Sequence, residues 1–376
     1  MSVSAEQLRC AILTCLSDQG FRVQGNHITP PSELDKEGLR RLHSLAVQHR
    51  IEKARGGLKR HEPRLVRRIA SGKEVLPQRI SPQIVEVQPG SEDELLFRYA
   101  SLHWSIPVSS GYGRRLRFLV VDGQNDKLIG IIGLGDPVFS LAARDKWIGW
   151  DKATRAQMLH HVMDAFVLGA VPPYSYLLCG KLVAMLVASS EVRAAFGRKY
   201  GCRQSRISGR CLDGRLALIT TTSALGRSSL YNRIAINGRT LYRSVGFTRG
   251  SGEFHFANGV YQLLAEYAAE NSTPTAKQLR WGTGFRNRRE VVKKCLASVG
   301  LSRGWIYHGV RRQIFVVPLA SNSQEFLRGE DDALMWYEEE AAEIFASFRE
   351  RWLLPRAERD ARFLDFDPRE YSLWGK

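Results

Sequence analysis

Residues 216–256 open with LALITTTSALGRSSLYNRI and, after a polar loop, close with LYRSVGFTRGSGEFHF. The β-branched run from Leu216 predicts a buried strand. Gly226 and the serines behind it predict a turn that caps a short helical segment bearing Tyr231, Asn232 and Arg233. LYRSVGF predicts a second strand running into the glycine-rich turn at Gly250–Gly252. The unit is strand, helix, strand, and its polar side chains crowd at the turn.

Working outward, RLRFLVVDG and KLIGIIGLGD, joined by DGQND, predict a β-hairpin from Arg115. A helix-containing insertion (RDKWIGWDKATRAQMLHHVM), the strand DAFVLGAVPP, the loop YSYLLCGK and one helix, LVAMLVASSEVRAAFGRKYG, lead back to Leu216. Downstream come the helices GVYQLLAEYAAE and KKCLASVG and the strand RQIFVVPLA. Hairpin, strand, helix and strand in this order predict a mixed α/β sheet with a crossover connection. The first 90 residues read as helices, one of them N-capped by Ser32. The expected division is a helical region 1–90, an α/β core 91–257, a basic helical and strand extension 258–322, and an acidic tail 323–376. In that tail ALMWYEEEAAEIFASFRERWLL reads as an amphipathic helix packed on the body.

Charge narrows the function. The 376 residues hold 55 Lys plus Arg against 38 Asp plus Glu, a net charge of +17. The surplus is uneven: +6 over residues 1–90, +8 over 91–270, +9 over 271–322 and −6 over 323–376. Residues 271–322 hold ten basic side chains and one acidic one, more than solubility requires, which points to a polyanion such as DNA. Six cysteines lie scattered without CxxC pairing or zinc-finger spacing, as reduced thiols in a cytosolic protein would. The N-terminus does not read as a signal peptide, and no apolar run reaches the roughly 20 residues of a membrane span. The expected location is therefore cytoplasmic.

Six blocks resemble one family. TSALGRSSLYNR (222–233), GFTRGSGEFHF (246–256), GGLKRHEPRLVRRIASGKEV (56–75), RDKWIGWDKATR (144–155), LGAVPPYSYLLCGKLVA (168–184) and HGVRRQIFVVPLASN (308–322) are similar, in order, to the DruA family of bacterial Druantia antiphage-defence proteins. The resemblance implies a defence component usually encoded with a large helicase-like partner. It implies no particular reaction. The order of elements also resembles the GNAT acetyltransferase fold, with VLGAVPPYSYLLCGKLVAMLVA in the place of the cofactor-cradling loop and helix and LYRSVGF like its closing strand. In that fold the loop reads Arg or Gln, x, x, Gly, x, Gly or Ala, so that bare backbone amides cradle a pyrophosphate. Here Tyr174–Lys181 contains only Gly180 and sets Tyr176, Leu177 and Leu178 where small residues are wanted, so acyl-coenzyme A is not expected.

Candidate residues fall into four groups. Arg286, Arg288, Arg289, Lys293 and Lys294 lie beside Trp281 and Phe285, with Arg311 and Arg312 following, and suit phosphate contact with aromatic faces for unpaired bases. Arg114, Arg115 and Arg117 follow a GYG turn and offer exposed cations or backbone-phosphate contacts. Around Thr220–Ser223, the residues Arg227, Ser228, Ser229, Tyr231, Asn232 and Arg233 exceed what helix capping needs. They suit a pocket for a phosphate or a flipped base, or, in an acyltransferase, a proton donor at Tyr231. Glu253 and His255, alternating on a strand, could form an acid/base pair or a plain hydrogen-bonded one. Asp136, Asp145 and Asp151 would hold a divalent metal only if folded together. His160 and His161, neighbours on a helix, point apart. No metal site is therefore assigned. The main expectation is a DNA-binding defence component. The alternatives are an enzyme acting on nucleic acid, as an acyl-CoA-dependent transferase or a metal-dependent nuclease, and an assembly subunit recruiting a helicase-like partner.

Overall fold

The computed structural model describes residues 3–32, 34–108, 113–204, 209, 211–275, 281 and 285–375, apart from the side chains of 285 and 286. α1 (Ala5–Asp18) starts at a capping box between Ser4 and Gln7 and buries Leu8, Ile12, Cys15 and Leu16 as one stripe. A small hairpin, β1 (Arg22–Gln24) and β2 (His27–Thr29), follows. α2 (Lys36–Leu58) is N-capped by Asp35 and not, as predicted, by Ser32. After the short α3 (Glu62–Val66) comes β3 (Pro82–Glu86), then α4 (Glu92–Ala100) behind its N-cap Ser91. The first 90 residues are thus not wholly helical, since β3 forms one edge of the main sheet.

The predicted hairpin is β4 (Arg115–Asp122) and β5 (Lys127–Gly135), followed by α5 (Ala142–Ile148), α6 (Lys152–Met158) and β6 (Val162–Ala170). The predicted single helix after β6 is two, α7 (Cys179–Leu186) and α8 (Ser190–Tyr200), restarted at Ser189. β7 (Leu218–Thr222) runs into the polar turn, where only Tyr231–Arg233 is helical, as one 3-10 turn. The pair β8 (Ala235–Ile236) and β9 (Arg239–Thr240), β10 (Arg243–Phe247), α9 (Val260–Asn271), α10 (Phe285–Ser298) and β11 (Gln313–Pro318) continue the chain. α11 (Ser323–Arg328), α12 (Ala341–Phe348) and α13 (Leu354–Arg359) complete it. The predicted long tail helix begins only at Ala341, because Trp336 is held in a β-bridge to Ala320.

Seven strands form one mixed sheet in the order β10, β11, β7, β6, β5, β4, β3. Every neighbouring pair is antiparallel except β6 and β7. That parallel ladder spans only Val162–Ala165 against Leu218–Thr221, so the second half of β6 runs on without β7 beside it. The opening places the turn after β7 next to α7.

Alternation along the strands divides the core. On one face Met163, Ile219, Phe315 and Val317 pack with α7, α8 and the buried Ile344 and Phe348 of α12. On the other, Val162, Leu218 and Val316 pack with Ile148, Trp150, Phe326 and Leu327. A separate cluster joins Leu8, Ile12 and Leu16 of α1 to Leu264 of α9 and Val292 and Leu296 of α10, so the N-terminal helix packs on residues roughly 250 positions downstream. Full burial of such a side chain is worth about 1.5–3 kcal/mol. Among the described residues no helix is long and apolar enough to cross a membrane.

Candidate functional site

The β10–β11 ladder pairs Arg243 with Val316 through to Phe247 with Gln313. It continues past the named strands: Thr248 N–H donates to Arg312 O (2.8 Å), Gly309 N–H to Gly250 O (3.0 Å) and Gly252 N–H to Ile306 O (2.9 Å), and Ser251 bridges Tyr307. Gly250 has φ +66, and a Cβ there would lie 2.7 Å from the Gly309 carbonyl carbon. Only glycine lets the two backbones approach this closely. The GSG sequence is therefore the far end of a two-stranded ribbon, and beyond it Glu253 caps the 3-10 turn that holds His255, so neither lies on the predicted strand.

Two aromatic side chains stand out from this ribbon, Phe247 at 41% exposure and Tyr307 at 51%. Each carries an arginine: Arg311 lies 5.4 Å from the Phe247 centroid and Arg289, from α10, 5.9 Å from that of Tyr307. A third exposed ring, Phe139, is overlaid by Arg155 at 4.7 Å. Phe139 stands just before α5, whose Ala143 approaches Gly246 of β10. Exposed arginines Arg243 and Arg249 complete a basic, aromatic surface.

The other basic residues of 271–322 are placed differently. Arg288 pairs with Glu253 (3.4 Å) and lies over Tyr261 (4.5 Å). Burial raises the Glu253 pKa, opposed by Arg288 and Arg289. Lys294 pairs with Glu290 (3.1 Å) and lies over Trp281 (5.3 Å), while Lys293 is half-buried. Arg312 is half-buried within electrostatic reach of Asp164, and burial lowers its pKa. The Arg286 and Phe285 side chains lie outside the described residues.

The polar turn after β7 is largely self-satisfied. Ser228 N–H donates to Gln313 Oε1 (3.1 Å), Ser228 Oγ accepts from Tyr231 N–H (3.0 Å), and Asn232 Nδ2 donates to Ser228 O (2.5 Å). Gln313 Nε2 donates onward to Ser244 Oγ (2.8 Å). Tyr231 stacks on Tyr242 with centroids 4.5 Å apart, and burial lifts its pKa to about 12 while Thr221 bonds its hydroxyl. Ser229 Oγ accepts from Lys36 (2.9 Å), and Arg227 and Arg233 remain exposed. On the reverse face Asp164, raised in pKa by burial, accepts from Thr220 Oγ1 at 2.7 Å and faces Arg144 and Arg312.

The arginines after the GYG turn are not alike. Arg114, predicted as an exposed contact, is mostly buried: it pairs with Asp136 (2.6 Å) and donates to His160 O (2.6 Å) and Val162 O (3.1 Å). Arg117 pairs with Glu94 (2.8 Å) and lies over Phe97 (5.7 Å). Arg115 is exposed, and its carbonyl accepts from Tyr200 (2.7 Å). His255 is fully buried, bonded to Trp305 O (2.9 Å), and burial holds its pKa near 3. It packs 5.4 Å from His308 and is not joined to Glu253 by a hydrogen bond.

The three aspartates do not meet. Asp136 binds Arg114, Asp145 binds Arg144 (2.6 Å) and Arg155 (2.9 Å), and Asp151 caps α6 through Thr154 N–H (2.7 Å). The adjacent histidines do meet, contrary to expectation. They sit on a 3-10 turn with rings 3.8 Å apart, and with Asp213 they bring ligand atoms within 4.8 Å of one another. Asp213 is already ion-paired to Arg215 (2.5 Å), whose positive charge opposes a metal there. Sequence reading missed Gln313, Asp164, Phe247 and Tyr307, since each lies in or beside an apolar run. For Phe247, the Phe-Thr-Arg-Gly junction at a strand end was the available signal.

A profile of the Druantia protein DruA family matches residues 33–329. The chain is 40% identical over 342 residues to the Druantia protein DruA of Escherichia coli (strain UMEA 4076-1), covering 90% of this chain and 82% of that protein. No solved structure matches. The chain belongs to the Druantia protein DruA family.

Proposed function

We propose that this protein is the DNA-binding component of a Druantia-type antiphage defence system and that unpaired DNA runs along the β10–β11 ribbon. The observation that carries this reading is the pairing of exposed rings with arginines, Phe247 with Arg311 and Tyr307 with Arg289, beside a third exposed ring, Phe139, whose overlying Arg155 is itself paired with Asp145. Aromatic faces stack on bases and guanidinium groups bind phosphates, so alternating the two along a surface suits a single strand. The turn bearing Arg227, Ser229 and Arg233 would meet the strand at one end, and a helicase-like partner would supply or consume it.

The core is read as GNAT-like on the strength of its sheet order and its single, short parallel pair. Coenzyme A is not part of the proposal, because Leu177 is fully buried and Leu178 occupies the helix N-cap where a bare backbone would be needed. Photo-crosslinking with a thiothymidine-substituted single strand, followed by peptide mass spectrometry, tests the interface. Crosslinks on 243–251 and 305–312 are expected. Crosslinks confined to α2 or the tail would sink the ribbon as the interface.

A further inference from the structure

The stretch 53–68, KARGGLKRHEPRLVRR, carries seven basic residues and one acidic one, the whole +6 surplus of the first 90 residues. The acidic one, Glu62, is buried and already accepts from the Tyr99 hydroxyl (2.8 Å) and from Leu373 N–H (2.7 Å). Arg55 pairs with Glu52 (3.3 Å), Arg64 with Glu92 (3.3 Å) and Arg68 with Asp93 (3.9 Å). Lys53, Lys59, Arg60 and Arg67 are exposed, and among the described residues no carboxylate pairs with them. Arg60 donates only to its neighbour His61 (3.0 Å). Arg98 of α4, also exposed, reaches the same helix: its Nη2 stands 4.0 Å from where a Cβ on Gly57 would be.

Cations on an exposed helix need no partner, but two glycines among them need a reason. Gly56 and Gly57 lie inside α2, and the helix runs on through Leu58 into the 3-10 turn Lys59–His61. Each weakens the helix relative to alanine. Neither is a cap, since both keep the right-handed helical backbone and not the left-handed one a terminal glycine takes. Neither is required by packing: a Cβ on Gly56 would meet nothing within 4 Å, and one on Gly57 only the end of Arg98. The missing side chains serve no contact within the protein and leave bare backbone for one outside it. At helical spacing Lys53 stands one turn before the pair and Arg60 one turn after, on the same face. The bare surface is therefore framed by positive charge.

The occupant that fits such a face is a polyanion that carries its charge outward. No Phe, Tyr or Trp is exposed on α2, α3 or α4, so an unpaired base finds nothing here to stack on. A duplex presents phosphates outside and keeps its bases stacked within. We infer that the face of α2 formed by Lys53, Gly56, Gly57 and Arg60, with Arg98 beside it, is a second nucleic-acid surface and binds the backbone of duplex DNA. His43 of the same helix stacks on Phe254 (4.4 Å), just past the ribbon. From there to Gly56 the helix rises about 20 Å, so the two surfaces suit the single- and double-stranded arms of one DNA. That pairing rests on the ribbon reading; the α2 surface itself does not.

Fluorescence anisotropy on the full chain with a blunt duplex of about 20 base pairs and a single strand of about 12 nucleotides tests it. The double substitution Gly56→Gln, Gly57→Gln should raise the urea midpoint, because glutamine is the better helix former, and weaken duplex binding about tenfold or more. A purely structural role for the glycines predicts the opposite, a lower midpoint. Lys53→Gln, Arg60→Gln should reduce the magnitude of the log–log salt slope for the duplex by about 1.8, or ~0.9 for each phosphate, and leave single-strand affinity unchanged. Arg289→Gln, Arg311→Gln should do the reverse, weakening the single strand and sparing the duplex, so the ribbon and this surface fail separately. Duplex binding that survives both α2 variants with its slope unchanged, or a natural chain that holds no duplex at about 50 mM salt, overturns the surface. An equal loss of single-strand affinity overturns the duplex as its occupant.

Discussion

Gln313 Oε1 accepts the backbone N–H of Ser228 at 3.1 Å, and together with the backbone bonds from Gln313 N–H to Gly226 O (3.0 Å) and from Ser223 N–H to Gln313 O (2.8 Å) it fixes the turn after β7 to β11. The same amide reaches Asn232 and Ser244, so a buried side chain on β11 organises three polar residues that are distant in sequence. Gln313→Ala should therefore cost about 1–3 kcal/mol, because the Ser228 N–H is left buried without a partner. Urea denaturation measures it. A loss below the error of the method would mean the turn holds its shape unaided.

Arg114 separates structure from binding. Its guanidinium joins Asp136 to the carbonyls of His160 and Val162, tying the start of β4 to the start of β6. Arg114→Ala should destabilise the fold by about 2–3 kcal/mol while the folded fraction binds DNA with unchanged affinity. Weakened binding at unchanged stability would return Arg114 to the interface.

Acid should unfold this protein early. Burial lowers the pKa of His43 and His103 to about 4, of His161 to about 4, of His255 to about 3 and of His308 to about 2. The folded state holds these rings neutral, whereas the unfolded chain protonates them near pH 6.5. Below that pH the unfolded state binds more protons, so stability present above pH 6.5 falls as pH drops towards the folded values. Each ring should cost about 1–2 kcal/mol between pH 7 and pH 5. Denaturation midpoints that stay level over this range would contradict the neutral histidine core.

The strands announced themselves because β4 and β5 are long apolar runs around DGQND, and β7 is a β-branched run ending in hydroxyls. β3 did not, since its five residues begin with proline and are mostly half-buried, giving neither a clean alternation nor a continuous apolar run. Charge was legible in bulk but not residue by residue. Arg114 finds Asp136 22 positions on, and Arg117 finds Glu94 23 positions back, distances that only strand and helix packing bring together. Glu253 and His255 read as alternating strand residues, but the ladder ends near Gly252 and the chain coils into a 3-10 turn. His160 and His161 lie on a 3-10 turn that leads directly into the extended backbone of β6, and there their rings meet, which helical spacing alone does not show. Phe247 and Tyr307 were hidden because aromatic residues at strand ends are usually buried, and these two are not.

The central claim is that Arg311 of the β10–β11 ribbon and Arg289 of the adjoining α10 bind the phosphates of DNA. Fluorescence anisotropy with a labelled single strand, titrated at several salt concentrations between about 50 and 200 mM, tests it most directly. Affinity should fall steeply with salt for the natural chain. The double substitution Arg289→Gln, Arg311→Gln should reduce the magnitude of the log–log slope by about 1.4, or ~0.7 for each phosphate that is no longer neutralised. An unchanged slope in a folded variant, or natural-chain binding that ignores salt, would contradict the account.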